Sequence, residues 1–258
     1  MIKGPLKSVI LATLIAIAMT TVGVPNASAQ DGWEFDLAIY AWLPTIEGKL
    51  AYDLPGLGDT IEIDPADLLE NLEFTAMVAF AARRDRWSIL GDVIYLKEAA
   101  SRNRTLDIGD GINLRADFEL KSWITNFAGA YDVARSDRST LGVLVGVRYF
   151  SMDTRLSLSS DGPLDLNAPL EEASSLWNGI VGVQGRLGLA ERWYVPYHLD
   201  IGTGDSDLTL QAMAGVGYSF KWGSLALLYR YLDFDQGDEG AVQGMTLAGF
   251  EFGVVFRF

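Results

Sequence analysis

The single histidine of the chain, His198, lies two residues before Asp200. In a β-strand, residues i and i+2 point to the same face, so the carboxylate could orient the imidazole as it does in hydrolases. A histidine beside an aspartate is also a common structural pair, and no serine with a recognisable nucleophile signature accompanies it. The pair therefore supports a hydrolase only as an alternative hypothesis, and no enzymatic activity is expected.

Further charged residues are predicted to share the interior with this pair if the strands that carry them form a closed barrel. Together they form a candidate lumen charge belt, which consists of Asp92, Arg148, His198, Asp200, Arg230 and Glu251. A narrow barrel leaves little room beyond its own side chains, and buried charges must pair to offset desolvation. The belt is either a structural plug or the lining and gate of a thin passage. Arg230 and Glu251 are predicted to lie nearly opposite each other across the last hairpin.

The elements that would position these residues are strands, because apolar residues recur with a period of two from Trp33 onward. In the last strand the even-numbered positions from Ala248 to Phe256 are apolar, while odd-numbered positions include Glu251 and Arg257. One face suits lipid and the other a polar interior. The predicted strands are Trp33–Leu43, Leu72–Arg83, Trp87–Lys97, Leu114–Val133, Leu141–Ser151, Leu176–Leu189, Trp193–Ile201, Leu208–Phe220, Leu225–Tyr231 and Ala248–Phe258.

The connections between these strands alternate in length, which predicts an all-β, transmembrane, antiparallel up-and-down β-barrel. About ten strands are expected, with eight or twelve as alternatives. The tight connections are Arg84–Arg86, Ala134–Ser139, Ala190–Arg192 and Lys221–Gly223. The long ones are Pro44–Asn71, Glu98–Asn113, Ser151–Ser175 and Phe234–Gln243, and Gly202–Ser206 is a short exception among them. Barrels of this class keep short turns on the periplasmic side.

Aromatic residues occur at both ends of the predicted strands, where the two membrane interfaces would lie. Those near the short turns are Trp33, Trp87, Trp193, Trp222 and Phe258, and those toward the loops are Tyr95, Tyr149, Tyr229 and Tyr231. A soluble β-sandwich, the alternative fold, would not need aromatic residues at both ends of its strands. In the first outer loop, Asp64–Glu70 predicts a short helix, with an aspartate at the N-cap and a proline at the first helical position.

The N-terminal region has the features of a secretory signal peptide. Lys3 and Lys7 precede an apolar run, 9–24, which leads into the small residues 26–29. The run is short for a spanning helix, which needs about 20 residues, so an uncleaved anchor is the weaker alternative. Cleavage is predicted after Ala29, which divides the chain into a signal peptide, 1–29, and an exported barrel domain, 30–258. Cysteine is absent, so the barrel is expected to fold without disulfides.

The charge of the chain bears on its partners. Loss of Lys3 and Lys7 with the signal peptide takes the formal net charge from −14 to −16, which disfavours nucleic acid. The outer loops carry acidic residues that could attract divalent cations bridging lipopolysaccharide, at Asp205, Asp207, Asp233, Asp235, Asp238 and Glu239. A solvated acidic face explains them more simply, because their spacing matches no EF-hand loop. No cofactor and no metal site are predicted.

Several segments resemble a widespread group of uncharacterised proteobacterial outer-membrane β-barrel proteins. The matching segments are Tyr40–Pro44, Asp67–Leu72, Asp92–Leu96, Gly146–Tyr149, Gly202–Leu208 and Tyr229–Asp233, and their order and spacing carry the resemblance. The resemblance implies a barrel in the bacterial outer membrane, and it supplies neither a substrate nor catalytic residues. Outer-membrane lipid, lipopolysaccharide and, through the strand that ends at Phe258, the barrel-assembly machinery are the expected partners.

Two functional hypotheses follow. The first is an integral outer-membrane barrel that acts as a structural component or as a narrow, gated pore for small solutes, with a charged and largely plugged lumen. The second is a membrane-embedded hydrolase, acting on lipid A or peptide, that uses His198 and Asp200.

Overall fold

Period-two alternation is realised as strands throughout the part of the chain that the computed structural model describes, which comprises residues 32–54, 58–66, 72–106, 112–160, 170–237 and 242–258. The predicted signal peptide and the acidic residues Asp238 and Glu239 lie outside these ranges. The strands are β1 (Trp33–Leu54), β2 (Gly58–Ile63), β3 (Leu72–Arg84), β4 (Trp87–Leu106), β5 (Ile112–Arg135), β6 (Thr140–Ser160), β7 (Leu170–Gly188), β8 (Trp193–Gly204), β9 (Leu208–Ser219), β10 (Gly223–Asp235) and β11 (Val242–Arg257).

Ten of these strands close into an antiparallel barrel, as the sequence predicts. Each strand from β3 to β11 is hydrogen-bonded to its neighbours in chain order, and β1 closes the sheet by pairing with both β3 and β11. The register of the closing pair runs from Asp36↔Arg257 to Lys49↔Gly244. The eleventh strand, β2, belongs to the same sheet and pairs with the outer part of β1 through Ile46↔Ile63, beyond the residues of β1 that pair with β3.

Tight turns collect at one end of the barrel, again as predicted. Between β3 and β4 only Asp85 and Arg86 form the turn, and Asp85 has a φ of 54°, a left-handed conformation that aspartate tolerates better than most residues. The opposite end differs from the prediction because much of the expected loop sequence continues as paired strand. For example, β4 and β5 stay paired as far as Leu106↔Ile112. Backbone pairing satisfies amide groups whatever the side chains are, so polar sequence does not end a hairpin.

The barrel presents apolar side chains outward. Val145 is 67% exposed and Phe250 is 63% exposed, although both are large and hydrophobic. Pairs of aromatic side chains border this apolar surface at both ends of the barrel. Toward the loops, the ring centroids of Tyr95 and Trp123 are 4.5 Å apart. Trp87 and Tyr131 lie 4.9 Å apart beside the turns. The described residues contain no helix that is long and apolar enough to cross a membrane.

The predicted helix in the first outer loop is only partly covered by the structure. Pro65 and Ala66 adopt helical conformation after Asp64, and residues 67–70 lie outside the described ranges. The strand that precedes it, β2, was not predicted.

Inside the barrel, side chains pack in layers along the axis. An apolar layer on the loop side is formed by Tyr40, Trp42, Met77, Ile94, Ile124, Phe150, Leu176, Leu232, Phe234 and Leu247. A smaller apolar cluster on the turn side contains Ala128, Ala130, Leu144 and Ile180, with Leu90 packed against it. The predicted charged residues lie between these two layers, so the lumen is filled at mid-depth.

Candidate functional site

The six residues of the predicted lumen charge belt all project into the barrel interior. The side chains of Arg148 and Asp200 are completely buried, and that of Arg230 is 3% exposed. Glu251 is nearly as buried, whereas Asp92 and His198 keep a small exposed fraction. Charges this deep require partners, because each unpaired buried ion costs several kcal/mol.

Arg148, on β6, has partners on three other strands. Its Nε donates to Oδ1 of Asn126 at 2.7 Å, and its Nη1 donates to the hydroxyl of Thr209 at 2.9 Å. Its Nη2 lies 2.8 Å from both carboxylate oxygens of Asp200. The guanidinium is therefore held by short hydrogen bonds from all three of its nitrogens.

Asp200 is the shared acceptor of this side of the belt. Besides Arg148, it accepts hydrogen bonds from Nε2 of His198 at 2.6 Å and from the amide of Gln211 at 3.3 Å. Because the carboxylate can only accept, Nε2 of His198 carries the proton, and Nδ1 of a neutral ring is then left as an acceptor. The carboxylate fixes the imidazole orientation, as the sequence suggests, but it also serves an arginine.

Arg230, on β10, reaches across the lumen in the opposite direction. Its Nη2 donates to Oδ2 of Asp92 at 2.8 Å and to Oε1 of Gln211 at 2.7 Å. Its guanidinium lies over the ring of Trp42, 4.9 Å from the ring centroid. Trp42 belongs to the apolar layer, so this contact joins the belt to the layer above it.

A further hydrogen bond closes the belt into a ring. Asn126 donates to Oδ2 of Asp92 at 3.1 Å, and the hydroxyl of Tyr40 also donates to Asp92. The complete circuit runs through Asp92, Arg230, Gln211, Asp200, Arg148 and Asn126. These residues come from six different strands, so side chains alone bridge the lumen.

The neutral members of the ring were absent from the predicted belt. These neutral residues occupy inward-facing positions in the period-two alternation of their strands, and that alternation could have identified them. They are Asn126, Gln211, Thr209 and Tyr40. A search restricted to charged residues misses them. The amide groups are essential to the circuit, because one amide can donate and accept at the same time.

Glu251 is the exception in an otherwise satisfied belt. Its Oε2 lies 3.6 Å from Nη1 of Arg230, which is too far for a hydrogen bond. In the part of the chain that the structure describes, this oxygen is the one buried side-chain nitrogen or oxygen without a hydrogen-bond partner. The two residues lie on paired strands, as predicted, but diagonally: Arg230 faces Gly249 and Glu251 faces Leu228.

A cavity of about 160 Å³ adjoins the belt. Its polar lining includes Glu251, His198, Asp92, Arg230 and Gln184, and its walls are largely apolar. Gln184 also lines a larger space of about 790 Å³ at the turn end, so the cavity lies at the inner limit of that space. We call the larger space the basic vestibule, because six arginines line it against four carboxylates. The arginines are Arg83, Arg86, Arg135, Arg138, Arg186 and Arg257, and the carboxylates are those of Glu34, Asp36, Asp132 and Asp137.

The loop end has the opposite charge. A cup of about 640 Å³ is lined by four carboxylates, those of Glu47, Asp207, Asp233 and Asp235, and we call it the acidic cup. Three of the predicted acidic-rim residues are engaged locally. Asp233 accepts from the hydroxyl of Thr246 at 2.6 Å, Asp205 accepts from the backbone N–H of Trp177 at 2.8 Å, and Asp235 accepts from the backbone N–H of Gly237 at 2.9 Å. Among the described residues, no group of three or more His, Cys, Asp or Glu is arranged to hold a metal ion.

On the outer face of the barrel, Glu119 forms a partly exposed ion-pair cluster. It lies on β5 beyond Trp123 of the loop-side aromatic edge, with Lys121 at 3.2 Å and Lys97 at 3.5 Å. The hydrogen bond and the charge of Lys121, together with Lys97, lower the pKa of the Glu119 carboxyl.

No protein-family model and no curated protein matches the chain. Among solved structures, the outer-membrane protease OmpT of Escherichia coli is similar, at 8% identity and a TM-score of 0.46, covering 88% of this chain and 96% of that one. The attachment invasion locus protein Ail of Yersinia pestis, solved with sucrose octasulfate, is similar at 8% identity and a TM-score of 0.39, covering 88% and 99%. An outer-membrane channel of Pseudomonas putida F1 is similar at 8% identity and a TM-score of 0.38, covering 88% and 94%.

Proposed function

We propose that this chain is an integral barrel of the bacterial outer membrane and forms a narrow, normally closed passage for small solutes, gated by the lumen charge belt. The observation that carries the proposal is the arrangement of open space. The acidic cup and the basic vestibule lie at opposite ends of the barrel, and among the described residues the belt and the apolar layers that enclose it lie between them. Two spaces that face one mid-depth partition support a closed pore.

The exterior supports the membrane assignment. A water-soluble monomer rarely exposes large contiguous apolar patches, yet side chains such as Val145 and Phe250 are exposed over most of their area. Closure of β1 on β11 pairs the strand edges, as a lipid environment requires. The short-turn end would face the periplasm, in keeping with the general design of such barrels.

The composition of the partition favours a gate over an inert filling. Apolar residues of similar volume would close a barrel at least as stably as buried ion pairs do. The belt instead consists of side chains joined by hydrogen bonds, so rotation of side chains can open it without moving a strand. The space for such a rotation lies beside Arg230, which lines the cavity of about 160 Å³. A purely structural barrel, in which the belt fills space, is the competing reading.

Conductance of the purified barrel in planar lipid bilayers tests the proposal. The wild type is expected to conduct little, because both the belt and the loop-side apolar layer close the lumen. Arg230→Ala removes the cross-lumen arginine, and Phe234→Ala opens the apolar layer, where its ring packs 5.0 Å from that of Phe150. The double variant is expected to conduct at least several-fold more than either single variant.

The matched control for this experiment is Phe250→Ala, which removes the same ring from the lipid-facing surface. It is expected to leave conductance at the wild-type level. Absence of conductance in the folded double variant would remove the passage and leave the structural component as the function.

The hydrolase hypothesis rests on the 2.6 Å contact between His198 and Asp200. We propose no enzymatic role for the pair, because Asp200 also binds Arg148, and in the described part of the chain no serine or threonine hydroxyl bonds to the imidazole. Lipid A and peptide cleavage assays of wild type and His198→Ala test this assignment. Cleavage by the wild type that is lost in the folded variant would reverse it.

We further propose that lipid, lipopolysaccharide and the barrel-assembly machinery are partners, the last through β11. Main-chain hydrogen bonds of 2.9 and 3.2 Å join Phe258 to Phe35 and position the end of this strand at the barrel seam. Divalent cations at the acidic cup stay a hypothesis without further support. Assembly of a Phe258→Ala variant in cells, followed by its yield in the outer membrane, tests the role of β11.

A further inference from the structure

Three polar groups on the cavity beside the belt have no partner among the described residues. Oε2 of Glu251 is buried without a hydrogen bond. The side-chain amide of Gln184 makes no hydrogen bond to a described residue, and neither does Nδ1 of His198. Buried polar groups are usually satisfied, so the buried and unpartnered Oε2 of Glu251, with two further open acceptors on the same cavity, indicates that the cavity receives something.

The chemistry of these groups indicates what they would receive. Glu251 offers a carboxylate oxygen, Gln184 offers an amide oxygen, and His198 offers a ring nitrogen whose proton sits on the opposite side, toward Asp200. All three groups can therefore accept a hydrogen bond. A primary ammonium group is a compact cation with three donors and no acceptor, which matches this set.

The charge of the belt agrees with a cation. Two arginines, Arg148 and Arg230, face three carboxyl groups, those of Asp92, Asp200 and Glu251, so the belt has one carboxyl group more than it has guanidinium groups. Glu251 is the group in excess, because its nearest arginine nitrogen is 3.6 Å away, whereas Asp92 and Asp200 each have an arginine nitrogen at 2.8 Å. A bound cation would neutralise it inside a low-dielectric interior.

The walls of the cavity favour an organic cation over a metal ion. Leu90, Ala128, Ile180 and Met213 line the space beside Glu251, and they offer apolar contact but no ligand for a hard cation. The volume of about 160 Å³ suits a molecule of a few carbon atoms. The acidic cup at the loop end would also concentrate small cations at the outer mouth.

We propose that the cavity beside the lumen charge belt is a binding site for a small primary alkylammonium ion, with the ammonium on Glu251, Gln184 and His198 and the alkyl chain on Leu90 and Ile180. The inference rests on the proposed passage, because it names the class of solute that the passage would take. Glu251 is then a binding residue, whereas Arg148 and Asp200 position the belt around it.

Isothermal titration calorimetry of the full barrel domain in detergent micelles, with butylammonium as the probe, tests the site. The wild type is expected to bind one butylammonium saturably. Glu251→Gln keeps the side-chain volume and removes the charge, and it is expected to weaken binding at least tenfold. Glu191→Gln removes a carboxylate from an exposed turn and is expected to bind like the wild type.

Two further ligands separate charge from hydrogen bonding. Butanol keeps the alkyl chain without the charge, and tetramethylammonium keeps the charge without N–H donors, so each is expected to bind at least tenfold more weakly than butylammonium. Ala128→Leu fills the cavity while Glu251 stays in place, and it is expected to abolish binding even if Glu251→Gln fails to fold.

Absence of saturable butylammonium binding to the folded wild type, or equal affinity in Glu251→Gln, would overturn the inference. Conductance of the Arg230→Ala/Phe234→Ala variant is measured separately, so the two proposals can fail independently. If the double variant conducts but butylammonium does not bind, only the proposed ligand is contradicted. If butylammonium binds but the barrel never conducts, the binding site is supported and the proposed passage is contradicted.

Discussion

The two buried arginines of the belt occupy similar depths on β6 and β10 but have different surroundings. Arg148 is bound through all three nitrogens at 2.9 Å or less. Arg230 has comparable bonds to Asp92 and Gln211, but its third nitrogen is 3.4 Å from Tyr40 and 3.6 Å from Glu251. Asn126 and Asp200 line the same cavity as Arg230 and Glu251, so the two halves of the belt differ in how tightly the arginine is bound rather than in whether they border open space.

This difference between Arg148 and Arg230 shows that burial alone does not determine the role of a charged residue. Around Arg148, short side chains from neighbouring strands reach the guanidinium directly, and Asp200 has no exposed area. Around Arg230, Asp92 is partly exposed and Glu251 lines a cavity. We interpret the Arg148 half as the structural part of the belt and the Arg230 half as the part that takes part in gating and binding.

The largest expected effect comes from breaking the packed half. Arg148→Met is expected to lower the free energy of unfolding by about 3–5 kcal/mol, because Asp200 would be left buried without a cation. Arg230→Met is expected to cost less, since water can reach Asp92 and the cavity beside Glu251. Urea unfolding of both variants in lipid vesicles, followed by tryptophan fluorescence, measures the difference. Equal costs for the two variants would end the distinction between the halves.

The carboxylates provide a second and smaller contrast. Asp200→Asn removes the charge that binds Arg148 and orients His198, and it is expected to cost about 2–3 kcal/mol. Glu251→Gln replaces an oxygen that has no partner, so its effect is expected to stay within about 1 kcal/mol and can be stabilising. The same urea titrations compare the two isosteric changes. A larger loss for Glu251→Gln would show that this carboxylate is structural.

Substitutions at two glycines test how closely the barrel wall packs against the belt. A Cβ at Gly182 would lie 2.2 Å from the carbonyl oxygen of Leu199 and 2.7 Å from Cβ of Asp200, whereas a Cβ at Gly129 would meet nothing within 4 Å. Gly182→Ala is expected to destabilise the barrel by about 1–3 kcal/mol, since backbone must shift. Gly129→Ala serves as its control and is expected to change stability little. Comparable stability of the two variants would contradict close packing at Asp200.

The smallest effect is expected at the exposed cluster of Glu119, which shows how weak an ion pair is outside the barrel. Its lowered pKa means that the stabilisation by Lys121 is present above the ordinary pKa of glutamate and is lost as the pH falls through the lowered value. Carboxyl NMR titration of Glu119 is expected to show a midpoint that rises toward the ordinary value in Lys121→Met. An unchanged midpoint would remove the role of Lys121.

Much of the fold follows from the alternation of residues. Period-two patterns predict the ten barrel strands, the tight turns and the face on which each side chain lies, inward at Glu251 and outward at Phe250. The strand β2 was not predicted because its six residues, Gly58–Ile63, lie within the polar sequence of the first outer loop and pair only with the outer part of β1. Strand length is also underestimated, since pairing continues where the side chains cease to be apolar.

The circuit of the belt could not be read from the sequence. The alternation along a strand determines whether a side chain points into the lumen or toward lipid. The height of that side chain in the lumen depends on the stagger between neighbouring strands. Arg230 and Asp92 are 138 residues apart in the chain and meet only across the closed barrel. Their pairing, and the role of Asn126 and Gln211 between the charges, therefore requires the three-dimensional structure.

The seam between β1 and β11 has a consequence for folding. Every other contact between neighbouring barrel strands joins barrel strands that are consecutive in the chain, with only β2 between β1 and β3. These pairs can therefore form locally, whereas the seam is non-local and slow to form. Tyr40 and Glu251 flank this seam, and Tyr40 lies 190 residues from its partner Arg230. Until the seam closes, Arg230 lacks the neighbours that hold it, and the lumen stays open to water. Burial of Trp42 beneath that arginine would therefore report the final step of barrel assembly.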